Sequence, residues 1–191
     1  MTRQSRRSFL AGSVIGLSAT WLASNWTGIL DAKVYAKQAG GEKPPDFAFF
    51  TNEQAADVDA MASQIIPTDE TPGAHEARCV YFIDFALATF LHESQPIYTE
   101  GLKALQAKTK EIFPDTASFA ALSSPQQIQL LTAIEDTPFF SAVRLHTITG
   151  MFASPAHGGN VEQVGWKLIG FDDTLNFKPP FGYYDGATDP W

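Results

Sequence analysis

Cys79-Val80-Tyr81-Phe82-Ile83-Asp84-Phe85-Ala86-Leu87-Ala88-Thr89-Phe90-Leu91 reads as helix, and as a helix that is apolar on nearly every side. At 3.6 residues per turn, Cys79, Phe82, Ile83, Phe85, Ala86, Leu87, Phe90 and Leu91 cover most of its circumference. Such a helix lies at the centre of its domain or is covered by a partner. The pattern predicts a helix over residues 74–92.

The neighbouring segments have the marks of helices that pack around it. Upstream, Thr51 and Gln54 form a capping box, in which each side chain satisfies an orphan donor at a helix start. Val58, Met61, Ala62 and Ile65 then give one apolar stripe, and Pro67 ends the helix because its ring has no N–H and clashes with the preceding turn. Thr68-Asp69-Glu70-Thr71-Pro72-Gly73 is a turn-rich acidic loop. Downstream, Tyr98, Leu102, Leu105, Thr109 and Ile112 predict an amphipathic helix that stops before Pro114. Ser124-Pro125-Gln126-Gln127 combines an N-cap, a first-turn proline and a capping-box glutamine, and Thr137-Pro138 opens another helix that runs to Gly150. No β-type alternation of useful length appears. The expectation is an all-α, single helical domain of about five helices over residues 47–173. A linker precedes it at 37–46, and an extended arm follows at 174–191.

The linker is preceded by a different kind of segment. Ser5-Arg6-Arg7-Ser8-Phe9-Leu10 places two arginines, a polar residue and Phe-Leu before a long uncharged stretch. Arg6, Arg7, Phe9 and Leu10 in that order are the pattern of a twin-arginine export signal. That route carries proteins already folded, often with a cofactor or partner bound. Residues 9–30 are uncharged but diluted by glycine, serine and threonine, where a spanning helix needs about 20 predominantly apolar residues. A removable signal over residues 1–36, cut after Val34-Tyr35-Ala36, fits better than a permanent anchor. An ordinary secretory signal and an uncleaved membrane tether remain open.

Removing residues 1–36 takes Lys plus Arg from 13 to 9 and Asp plus Glu from 21 to 20, so the net charge goes from −8 to −11. A domain so acidic repels phosphate backbones, which argues against nucleic acid as a partner. The single cysteine, Cys79, excludes an internal disulfide, a cysteine-based zinc site and a Cys-x-x-Cys-His haem attachment. Its apolar surroundings make it a buried thiol, with a bond to a partner's cysteine as the alternative.

The chain offers little chemistry of its own. His75, His92, His146 and His157 are not paired at metal-ligand spacing, and no His-Glu-x-x-His occurs. His146 reads as a hydrogen-bonded structural histidine on its helix. Asp69, Glu70 and Glu76 cluster around the acidic loop but lack the ligand alternation of a calcium site. There is no Gly-x-Ser-x-Gly elbow and no Gly-x-Gly-x-x-Gly fingerprint. Paired carboxylates that meet only in space are not visible to a sequence.

The densest region is residues 150–173. Ser154-Pro155 bends the chain, Gly158-Gly159-Asn160 can hold positive φ in a tight turn, and Val161, Trp166, Leu168 and Ile169 form a short apolar helical segment. Two readings stand: a turn that returns the chain to its own core, or a shaped loop offered to another protein.

Two stretches resemble the gluconate 2-dehydrogenase subunit 3 family, the small subunits of membrane-associated bacterial flavin dehydrogenases. One is Ile65-Ile66-Pro67-Thr68-Asp69 with Thr71-Pro72-Gly73-Ala74. The other runs from Ser154-Pro155 through His157-Gly158-Gly159-Asn160 to Gly165-Trp166-Lys167-Leu168-Ile169-Gly170. The family often carries Tyr where His157 stands and a bulkier or basic residue where Ala156 stands. The resemblance implies a large subunit that oxidises a sugar, sugar acid or polyol with FAD, and a cytochrome c subunit whose haem takes the electrons. It also implies a small, periplasmic, cofactor-free subunit that binds the large one and supplies the address for the twin-arginine translocation machinery. The expected partner interface is His157, Gly158, Gly159, Asn160 and Trp166, together with Phe177, Phe181, Tyr183, Tyr184 and Trp191 on the C-terminal arm. That arm has three prolines and no helical or strand period, so it either lies on the partner or packs back on its own domain. A stand-alone periplasmic enzyme with a spatially assembled acid/base site is the rival from another class, and a membrane-tethered structural protein is a third.

Overall fold

Thr51 opens the first helix as its capping box predicts. Its hydroxyl accepts the N–H of Gln54 at 3.2 Å, and the Gln54 side chain accepts the N–H of Thr51 at 3.0 Å. The computed structural model describes residues 45–174. Within them are six α-helices and no strand: α1 (Asn52–Ile65), α2 (Cys79–Ala88), α3 (Gln95–Ile112), α4 (Ser124–Thr132), α5 (Pro138–Phe152) and the short α6 (Val164–Leu168). Among these no helix is long and apolar enough to cross a membrane.

The apolar-all-round helix takes the central place. All of α2 from Cys79 to Leu87 is buried except Tyr81, which is half-buried, and it packs against both α1 and α5. α3 lies on α5, and α4 lies on α1. Val58, Met61, Phe82, Ile83, Leu87, Tyr98, Leu105, Phe119, Leu130 and Val143 form one continuous core. Each such side chain contributes about 1.5–3 kcal/mol by leaving water, before the entropy of ordering is subtracted.

The ends of α2 differ from the 74–92 expectation. Residues 74–78 form turns, with Ala77 N–H donating to Gly73 O and Cys79 N–H to Ala74 O. Arg78 has φ 54°, a left-handed conformation that an α-helix does not accommodate, so α2 begins after it. At the far end the Thr89 hydroxyl donates to Phe85 O at 2.6 Å and Leu91 N–H to Ala86 O at 2.7 Å. These bonds satisfy carbonyls that a continuing helix would use, and Phe90 is left outside the helix. A 3₁₀ turn, His92–Ser94, leads directly into α3.

The start of α4 also shifts by one residue. Ser123, rather than Ser124, is the N-cap, and its N–H donates to Gln126 Oε1 at 3.0 Å. Pro125 still falls in the first turn, where no amide proton is missed.

Asp84 sits in the middle of α2 and is fully buried. Its Oδ2 accepts the N–H of Ala48 at 2.7 Å, and its Oδ1 accepts those of Phe49 and Phe50 at 2.9 Å each. The carboxylate thereby organises the segment that leads into α1. Phe47 stacks on Tyr81 with ring centroids 4.8 Å apart, which fastens the same segment to the same face of α2 one turn earlier.

Candidate functional site

The two stretches that carry the family resemblance meet in space. Both pack against the start of α2 around a second, smaller core of Ala62, Ala74, Ala77, Cys79 and Met151, with Ile66, Phe152 and Val164 at its edge. Val161 N–H donates to Ala77 O at 3.3 Å and joins the second stretch to the turn before α2. The first stretch closes on itself through Ala74 N–H to Ile66 O at 2.9 Å. Gly73 is required there, since a Cβ would lie 2.5 Å from Ile66 O. Glu76 holds this loop by accepting from the Thr68 hydroxyl at 2.6 Å and from Gly73 N–H at 2.9 Å, and the Thr68 bond keeps its carboxyl below the usual range.

The second stretch caps the C-terminus of α5 with side chains. The last carbonyls of a helix have no intrahelical partner. Here Trp166 Nε1 donates to Phe152 O at 2.7 Å, and Asn160 Nδ2 donates to Ala153 O at 2.9 Å. Asn160 Oδ1 accepts Gly165 N–H at 2.9 Å, so one buried amide joins the end of α5 to the start of α6. Asn160 takes φ 47°, a conformation that asparagine tolerates better than most residues.

Gly158 has φ 95° as the turn reading requires, but Gly159 does not lie in that region. Gly159 serves by having no side chain, because a Cβ would overlap the carbonyl oxygen of Gly150. Gly165 meets the carbonyl of Met151 in the same way. Gly158, Gly159 and Asn160 are buried within this chain, and Trp166 is half-buried. Gly158, Gly159 and Asn160 are therefore internal architecture, while Trp166 keeps part of its surface. His157 alone of the turn residues expected at an interface is exposed. Arg6, Arg7, Phe9 and Leu10, and Phe177, Phe181, Tyr183, Tyr184 and Trp191 with the arm that carries them, lie outside the described residues.

The exposed side chains around the turn include several large apolar ones besides the polar His157, Glu162, Gln163 and Lys167. Phe90 is 53% exposed, its ring 6.0 Å from that of His157 and 6.3 Å from that of Phe82. Leu168, Ile169 and Phe171 are exposed at the end of α6, with the Phe171 ring 4.9 Å from Trp166. The sequence shows these residues as apolar but does not show which would be left outside.

A second feature adjoins the same region. Asp59 Oδ2 lies 2.7 Å from Nδ1 of His75, and both line a cleft of about 350 Å³ with Asn52, Arg78 and Tyr81. Burial raises the pKa of the Tyr81 hydroxyl. An imidazole oriented by a carboxylate beside a phenol is able to move a proton. No local motif announces this pair, whose members lie 16 residues apart. His75 and Arg78 also line a neighbouring groove with Pro72, Glu76, Val161, Glu162 and Val164, which runs between the two stretches. Arg78, Asn160, Glu162 and Gln163 are the non-glycine residues with positive φ among those described, and they gather around this groove.

His146 is structural, as its place on the helix suggests. Its Nδ1 lies 2.9 Å from the buried hydroxyl of Tyr98, and desolvation lowers its pKa while raising that of the tyrosine. Cys79 is fully buried, and burial pushes its thiol up to about 12. Among the described residues no three His, Cys, Asp or Glu side chains cluster closely enough to hold a metal ion.

Comparison with curated proteins and with solved structures returned no match. The family model for gluconate 2-dehydrogenase subunit 3 matches residues 52–173, which takes in all six helices and both stretches that meet at the second core. By that match the chain belongs to the gluconate 2-dehydrogenase subunit 3 family.

Proposed function

We propose that this chain is the non-catalytic small subunit of a membrane-associated FAD-dependent dehydrogenase complex, which binds the large flavoprotein subunit and accompanies it through twin-arginine export to the periplasm. Membership of a family of dehydrogenase-complex subunits supports the first part. The Arg6-Arg7-Ser8-Phe9-Leu10 order supports the second. The observation that carries the binding role is the pairing of a locked turn with exposed apolar side chains. Phe90, Leu168, Ile169 and Phe171 stand in water on a rigid support, an arrangement expected of an interface. The substrate of the complex is a sugar, sugar acid or polyol. FAD resides in the large subunit and haem c in a cytochrome subunit, which accepts the electrons.

Changing both Arg6 and Arg7 to Lys keeps the charge and removes the guanidinium geometry. The expected outcome is retention of this chain and its flavoprotein together in the cytoplasm. Normal periplasmic levels of the flavoprotein would refute the escort role.

The Asp59–His75 pair favours a second reading, in which this chain does acid–base chemistry of its own. The assembled complex separates the two readings. If His75→Ala leaves assembly intact and turnover unchanged, the pair is structural. If assembly is intact and turnover falls about a hundredfold, the size of a lost general base, the second reading gains.

A further inference from the structure

An apolar groove lies on the side of the domain formed by α3 and the start of α5. It has a volume of about 310 Å³ and is lined by Ile97, Ala104, Leu105, Ile134, Pro138 and Phe139. Gly101 forms part of the lining, and its missing side chain lets α3 approach the Phe139 ring, which any Cβ would overlap. Ile97 is 38% exposed at the rim. Glu135 and Asp136 stand between two lining residues, Ile134 and Thr137, and both are exposed. Among the described residues neither is in an ion pair. The groove thus presents an apolar floor with Glu100, which is paired with Lys103, in its lining, and two further carboxylates follow a lining residue in sequence.

We propose that this groove holds the chain's own N-terminal segment, with Phe9 and Leu10 on the apolar floor and Arg6 and Arg7 against Glu135 and Asp136. The arginine pair is then withheld from the translocation machinery while the groove is filled. The inference rests on reading that segment as the export signal.

Charge selects this occupant. Residues 1–36 carry Arg3, Arg6, Arg7 and Lys33 against Asp31 alone. The C-terminal residues 175–191 are aromatic but carry Asp185 and Asp189 against Lys178, so they suit an acidic rim poorly. A second copy of so acidic a domain would set like charges face to face.

The described chain enters beside α2, where Phe47 lies on Tyr81, and then passes Phe50, whose ring lies 5.9 Å from that of Tyr98, itself 5.7 Å from the Phe139 ring of the groove. Thirty-four residues separate Leu10 from Pro45, and a chain of that length can reach no farther than roughly 115–125 Å, which leaves the groove within reach. Covalent attachment through a linker gives an effective concentration on the order of 1 mM.

Limited trypsin cleavage of the isolated full-length chain, followed by mass spectrometry at Arg6 and Arg7, tests the proposal. A segment with a Kd of about 0.1 mM would be protected roughly tenfold at that effective concentration. Glu135→Gln with Asp136→Asn should abolish the protection, and so should Ile97→Asn. All three are surface positions, and circular dichroism checks that each variant folds. Equal cleavage rates in the native chain and both folded variants would overturn the proposal. Protection that grows with protein concentration would assign the groove to a second copy and also overturn it. A third result against it is faster hydrogen exchange of α3 amides after truncation at Asp173 with cleavage at the arginines unchanged, because the C-terminal arm would then be the occupant. The assay contains no flavoprotein, so it can fail while the escort role stands, and the export experiment can fail while the groove is filled.

Discussion

Asp84 Oδ1 accepts the backbone N–H of Phe50 at 2.9 Å across 34 residues of sequence. The same carboxylate takes the N–H groups of Ala48 and Phe49, so a negative charge in an otherwise apolar helix is matched by three donors. Charge-assisted bonds of this kind are roughly twice as strong as neutral ones, and the desolvation of the carboxylate is thereby offset.

Asp84→Ala should therefore leave three amide protons without their acceptor. At about 1–3 kcal/mol for an unsatisfied buried group, partly relieved as the segment swings into water, a loss of roughly 3 kcal/mol is expected. Chemical denaturation measures it, and faster amide exchange at residues 48–50 locates it. A variant as stable as the native chain would show that the carboxylate only breaks even.

Tyr98→Phe should cost about 1–2 kcal/mol, because Nδ1 of His146 loses its buried partner while the ring packing is kept. The same site adds acid sensitivity. Burial lowers the folded pKa of His146 below the unfolded value near 6.5, so its contribution is present above that pH and is lost as the pH falls through the folded pKa. A comparison of melting temperatures at pH 7 and pH 5 for the native chain and His146→Phe reveals the difference. Identical slopes would remove His146 from the account.

Cys79 should resist thiol reagents until the protein unfolds, since its thiol is buried and its pKa is raised to about 12 from 9.0. The sign at high pH follows from the unfolded chain, which ionises first. Stability is retained below about pH 9 and declines by up to roughly 1.4 kcal/mol per pH unit above it. Cys79→Ala serves as the control, because other groups titrate in the same range. Only the component absent from that variant belongs to the thiol. Rapid labelling of the native chain would contradict the prediction.

Ile169→Asp with Phe171→Ser should cost no more than about 1.5 kcal/mol of stability, since both positions are exposed and the loss is chiefly the Phe171 ring contact with Trp166. It should also weaken co-purification with the flavoprotein. Truncation after Asp173 tests the C-terminal arm in the same assay. A retained melting temperature with weaker binding places the arm on the partner, whereas a drop of many degrees with unchanged binding by the folded fraction places it on this domain.

The helices with local signals were legible in the sequence. α1 and α5 start where Thr51 and Thr137 accept first-turn amides, and α3 follows its apolar stripe. The boundaries of α2 were not legible, because nothing in an arginine side chain announces a left-handed backbone at residue 78. The role of Asp84 has no local signal, since its three donors come from a distant segment. The glycine-rich turn was recognised for the wrong property at Gly159, where lack of volume is required and left-handed freedom is not. Asp59 and His75 meet only through the turn that Gly73 allows, so a periodicity argument has no access to them.

Gly159 and Gly165 seat the second stretch against the carbonyls of Gly150 and Met151, while Trp166 and Asn160 bond to the residues that follow. The surface residues next to this seat, His157 with Phe90 and Trp166 with Phe171, are therefore preorganised, and a partner that docked on them would have little ordering entropy left to supply. Association at such a surface should proceed nearly as between rigid bodies, with backbone shifts below about 1 Å on binding. Mutations in the buried turn would then act on the lifetime of the complex by loosening the platform, even though no partner atom touches them.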